Sequence, residues 1–160
     1  VAANDSRQAQ IQRRRAWLAE LGGRADEMLD ELAGVIGVTP PRRLRSQPEQ
    51  TLAEVAEFCR QTDFSSATQD GRTWMLNRLG LYIARFFTAR FGGTLVLQDE
   101  PTRSFYLHYV LCGMRPPVLP DARLDPFAIA HDLLNAQPKP DLTDLIEVAE
   151  RALVHGPIVH

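Results

Sequence analysis

The chain has 160 residues, 44% of them hydrophobic, and a formal net charge of −2, which is enough apolar material for one domain with a closed core. The slightly acidic balance argues against a general nucleic-acid binder, and no run approaches the roughly 18 consecutive apolar residues of a membrane span. Cys59 and Cys112 are too few for a disulfide scaffold and lack zinc spacing, so they read as free thiols in a chain whose default compartment is cytoplasmic.

From Ser6 to Ile36, apolar residues recur at Ile11, Leu18, Leu21, Ala25, Met28, Leu32 and Val35. Alternating steps of three and four predict a helix packed on other helices, capped by Asp5 or Ser6. Gly22 and Gly23 lie off this seam, which favours one continuous helix. The stretch "GVTPPRRLRSQP" reads as a loop. Residues 1–45 are thus a helical segment and loop, leading into an α+β core over 46–155 within a single domain of 1–160. A second helix starts around Ser46, Pro48 and Glu49, with Leu52, Val55, Ala56 and Cys59 on its apolar face.

A third helix is expected from about Asp70 to Phe91, stopped by Gly92 and Gly93. Met75, Leu76, Leu79, Tyr82, Ile83, Phe86 and Phe87 fall within one arc of about 140° and form its core face. Trp74, Arg78, Leu81 and Arg85 form a second stripe away from that arc. In one reading the stripe packs on the N-terminal helix, with Arg78 and Arg85 meeting acids such as Asp144, Glu147 or Glu150. In the other it is an exposed partner-binding surface, because Trp and Arg are enriched at interface hot spots. An anionic ligand is a third use for a segment with four arginines and no acid between Arg72 and Arg90.

Beyond Gly93 the period changes. "TLVLQ" and "SFYLHYVLC" read as a hairpin joined by "DEPTR", with Phe105, Leu107, Tyr109 and Leu111 on one face. The longer second strand calls for a partner. A third strand at 116–120 or from the terminal "GPIVH" is favoured over pairing with another chain. Asp125 and Pro126 open a helix through Leu134, and Asp141 opens the last, with Leu142, Leu145, Ile146 and Ala149 as its stripe.

No common enzyme signature is present. His108 and Cys112 are about 13 Å apart on an ideal strand, too far to share a metal. His131 and Asp132 point about 100° apart on a helix. Asp141, Asp144, Glu147 and Glu150 read as a solvated helix face. Arg13, Arg14 and Arg15 read as solvated surface, as do Arg42, Arg43 and Arg45, since no aromatic residues interleave with them as stacking platforms.

The order "LGLYIARFFTARFGG", hairpin, then "LDPFAIAHDLL" resembles small bacterial α+β proteins whose helix begins Leu-Gly-x-Tyr and ends at Gly-Gly before a strand. Leu79, Gly80, Tyr82, Gly92 and Gly93 carry the match, over about residues 73 to 135. Some such proteins are associated with toxin and immunity loci, which implies an immunity role, but no site is carried over, because Arg85 and Leu95 replace the expected acid and aromatic.

The expected fold is therefore α+β and mainly helical, with about five helices and a small antiparallel hairpin or three-stranded sheet. The expected function is a non-catalytic protein-binding factor, of immunity or adaptor type, using Trp74, Arg78, Leu81 and Arg85, with no catalytic residue, metal or cofactor. One alternative is a small-ligand-binding protein or enzyme with a pocket between the hairpin and the helix starting at Asp125, lined by Tyr106, His108 and His131. Another is a structural subunit that forms a homodimer through the N-terminal helix.

Overall fold

The structure is a computed structural model that describes residues 1–103 and 105–156. Its first helix, α1 (Ala2–Ile36), starts ahead of Asp5 and Ser6 and has no side-chain cap. It passes straight through Gly22 and Gly23, at each of which a Cβ would meet nothing within 4 Å. Gly37 ends it in the left-handed region (φ 95°), donating its N–H to the Ala33 carbonyl, a conformation that suits glycine. Leu21, Met28, Leu29, Leu32 and Ala33 are buried on its C-terminal half, whereas Val35, the last residue of the expected seam, is exposed. The N-terminal half lies beside the hairpin, where Arg15 pairs with Asp99 and the Tyr109 hydroxyl donates to the Arg14 carbonyl at 3.1 Å.

The proline-rich stretch is not wholly a loop. It contains a single helical turn, α2 (Arg43–Ser46), which inserts Leu44 into the core. Helix α3 (Leu52–Gln61) follows, with Val55, Ala56 and Cys59 buried as its apolar face requires. Burial pushes the Cys59 thiol up to about 12, so it stays neutral. A 3₁₀ turn at Phe64–Ser66 leads into α4 (Gln69–Phe91), capped by Thr68, whose side chain accepts from the Gly71 N–H. The core face of α4 is buried at Leu79, Tyr82, Ile83, Phe86 and Phe87.

Strands β1 (Thr94–Leu97) and β2 (Tyr109–Cys112) pair antiparallel, with Leu97 opposite Tyr109 and Thr94 opposite Cys112. Among the described residues the second strand covers only Tyr109–Cys112, which corrects the expected strand over 105–108. Phe105 and Leu107 have φ of 65° and 64°, and such left-handed residues break the pleat. Leu107 N–H donates to the Gln98 carbonyl at 2.7 Å, and Gln98 N–H donates to the His108 carbonyl at 2.9 Å. Two residues thus oppose one, in a bulge that places a leucine where glycine is usual. The third strand at 116–120 is also corrected, because Leu119 N–H instead donates to the Leu153 carbonyl. The edge of β2 is closed by one bridge, Leu111 with Leu124. The alternative strand "GPIVH" falls almost entirely outside the described residues.

Helices α5 (Pro126–Asn135) and α6 (Leu142–His155) are capped by Asp125 and Asp141. One apolar cluster joins all six helices, from Leu21 to Leu153. The fold is mainly helical α+β, and the sixth helix, beyond the five expected, is α2. Gly80 explains the closeness of α4 to α5: a Cβ there would lie 2.2 Å from the Phe127 ring. Tyr82 anchors the chain on the far side, donating its hydroxyl to the Pro48 carbonyl at 2.6 Å. Among the described residues no helix is long and apolar enough to cross a membrane.

Candidate functional site

The α4 stripe is turned inward, which corrects its reading as an exposed partner surface. Arg78 is 6% exposed and Leu81 7%. The Arg78 guanidinium lies 4.1 Å from the Trp74 ring centroid and meets Glu31 at 3.0 Å. Arg85 meets Asp26 at 3.2 Å. Both acids belong to α1, whereas Glu150 on α6 takes Arg90 at 2.6 Å. The physical reason is a charged seam between α1 and α4: the arginines of one helix face the acids of the other, and Trp74 covers the guanidinium.

A cleft of about 520 Å³ opens where α1, α4, the hairpin and α5 meet. Its apolar wall is an aromatic cluster. The Trp17 and Tyr109 rings lie 4.8 Å apart, and Phe127 meets them edge-on at 5.9 and 6.1 Å. Phe127 is seated there by the gap at Gly80, so the Leu-Gly-x-Tyr motif has a direct structural use. The polar groups at the cleft are Arg14, Asn77, His108, Asp125, His131 and Asp132.

Asp125 is fully engaged. As the α5 cap, its Oδ1 accepts from the Phe127 and Ala128 N–H groups, each at 3.0 Å. Its Oδ2 lies 2.5 Å from Nδ1 of His108. The carboxylate is 6% exposed and the imidazole 51%. A carboxylate on Nδ1 fixes the orientation of the ring and leaves Nε2 as the nitrogen not engaged by Asp125. The strained Leu107 immediately precedes this histidine, so the bulge sets where the imidazole stands.

His131 also lines the cleft, with Nδ1 4.0 Å from Asp132, beyond hydrogen-bonding reach. Tyr106 does not line it; its hydroxyl is buried with no hydrogen-bond partner among the described residues. Two of the three expected pocket residues therefore come together, from a turn and a helix. Among the described residues no three His, Cys, Asp or Glu side chains gather in a metal-holding group.

Arg14, Trp17, Asn77, Tyr109 and Phe127 complete the cleft without having been singled out for it. A signal for two of them was present, since Arg14 and Trp17 are three residues apart on a helix and share a face. This corrects the reading of Arg13, Arg14 and Arg15 as lacking aromatic neighbours: Trp17 supplies one from α1, and Tyr109 supplies another from the hairpin. No protein family matches this chain, and neither a curated protein nor a solved structure is found to be similar to it.

Proposed function

We propose that this chain is a small-ligand-binding protein and that the cleft between α1, the hairpin and α5 is its site. The observation that carries the reading is the His108–Asp125 pair, held at 2.5 Å on the edge of an aromatic-lined cavity of about 520 Å³. Concave sites of this size, mostly apolar with a few convergent polar groups, are where small molecules bind. Trp17, Tyr109 and Phe127 supply the contact area, and His108 Nε2 supplies a hydrogen-bonding group to the ligand.

Recognition of another protein through Trp74, Arg78, Leu81 and Arg85 has less support, because Arg78 and Leu81 are buried and Arg78 and Arg85 pair with acids of α1. An adaptor or immunity role would need a different face. The test is a thermal-shift screen of a metabolite library against the wild type and the cleft-filling variant Asn77→Trp. At least one compound should raise Tm by several degrees in the wild type alone, as binding to the folded state requires. A screen in which no compound separates the two proteins would overturn the reading.

A further inference from the structure

The cleft does not end at Arg14. A second cavity of about 460 Å³ shares Arg14, Trp17 and Tyr109 with it and continues to Arg13 and Gln10. Gln10, Arg13, Arg14 and Trp17 stand at steps of three, one and three along α1, so one face of this helix lines the whole extension. The charge along the groove is uneven. Among the described residues neither Arg13 nor Arg14 has a carboxylate partner, and the nearby acid Asp99 is taken by Arg15. Arg14 sits 5.9 Å from the centroid of the Tyr109 ring. The opposite end carries His108 and His131 together with the exposed Asp132.

A groove with two unpaired guanidiniums at one end, aromatic rings in the middle and imidazoles at the other selects a particular chemistry. The unpaired arginines favour an anion, and their donor geometry suits phosphate. The aromatic middle favours a flat ring, which stacks without regard to its substituents. The acid at the far end disfavours a negative group there. Resting on the cleft being the binding site, we infer that its ligand is a heteroaromatic compound carrying one phosphate, of the size of a nucleoside monophosphate. The phosphate meets Arg13 and Arg14, the ring lies against Trp17 and Tyr109, and a ring hydrogen-bonding group reaches His108.

The chain has only two tryptophans, Trp17 and Trp74, so Trp74→Phe leaves Trp17 as the sole tryptophan, excited selectively beyond the absorption of tyrosine. That variant is titrated with AMP, adenosine and inorganic phosphate. AMP should change the Trp17 emission saturably, and adenosine should do so at least tenfold more weakly. Adding Arg13→Gln and Arg14→Gln should raise the AMP dissociation constant at least tenfold and that of adenosine by a much smaller factor, since Arg14 also borders the Tyr109 ring. Raising the salt concentration should weaken AMP binding more than adenosine binding. Equal affinities for AMP and adenosine, or an AMP affinity indifferent to the two arginines, would overturn the phosphate assignment and leave the cleft as a neutral-ring site. No response to AMP or adenosine, with the metabolite screen still positive, would overturn the whole ligand class but not the cleft. Silence in both experiments would remove the cleft as well.

Discussion

On α4, Trp74 and Arg78 lie one turn apart; on α1, Arg14 and Trp17 do the same. In the first pair Arg78 is buried and Trp74 half-buried, with the guanidinium stacked on its own tryptophan and paired with Glu31. The second stands at a cavity, with a neighbouring tyrosine and no carboxylate partner among the described residues. The residue types are the same in both places. What separates them is the element that each helix faces: α4 meets the acids of α1, while the start of α1 meets the hairpin, whose Asp99 is already held by Arg15. An arginine–aromatic pair becomes packing or a surface for ligands according to the charges opposite it.

The comparison is tested hardest by Glu31→Ala. It leaves the buried Arg78 cation unpaired and should cost about 3 kcal/mol, short of the loss expected for a fully buried pair because Glu31 is partly exposed. Urea unfolding measures it, and a loss under 1 kcal/mol would mean that water already screens the seam. Replacing both partners, with Glu31→Leu and Arg78→Met, should recover most of that loss, since the uncompensated charge is its cause.

Gly80→Ala comes next, at about 2 kcal/mol, because the added Cβ overlaps the Phe127 ring and the core must give way. The displaced ring should also disturb the cleft, seen as altered Trp17 emission in the Trp74→Phe background. Leu107→Gly should go the other way and stabilise by about 0.5 kcal/mol, since glycine removes the left-handed strain and recovers more than its own entropy cost. A loss of stability there would show that Leu107 contributes more by packing than it loses by strain. The smallest effect is expected from Arg14→Ala, within about 0.5 kcal/mol of wild type by urea unfolding. A cost near that of Glu31→Ala would erase the distinction between the two pairs.

Much of the helical architecture was legible because its signals are local. Asp125 followed by Pro126, Asp141, and the arc of Leu79, Tyr82, Ile83, Phe86 and Phe87 all specify structure through near neighbours. The Gly80 gap was visible as a residue but not as a contact, since its partner Phe127 lies 47 positions along the chain. The misreadings share a cause. Phe105 and Leu107 alternate with polar neighbours as a strand would, and nothing local announces two left-handed residues there. Arg78 and Arg85 carry no mark of the helix that will oppose them, so the acids expected on α6 turned out to lie on α1. Of the site, His108 and His131 could be grouped by guessing which segments meet. Asp125 was read correctly as a cap, but its remaining oxygen, the one that orients His108, becomes apparent only when the hairpin is folded against α5.

The unbroken course of α1 has a mechanical consequence. Arg14 and Glu31 are 17 positions apart on one rod, about 26 Å at the rise of an α-helix, so a tilt that moves one end must move the other. Anything that draws Arg14 toward the groove therefore loads the ion pair at Glu31 like a weight on the far arm of a balance. The beam is softest at its midpoint, where Gly22 and Gly23 have open space around them. Alanine at both would stiffen it without touching either end, and would make the two arms answer each other more sharply.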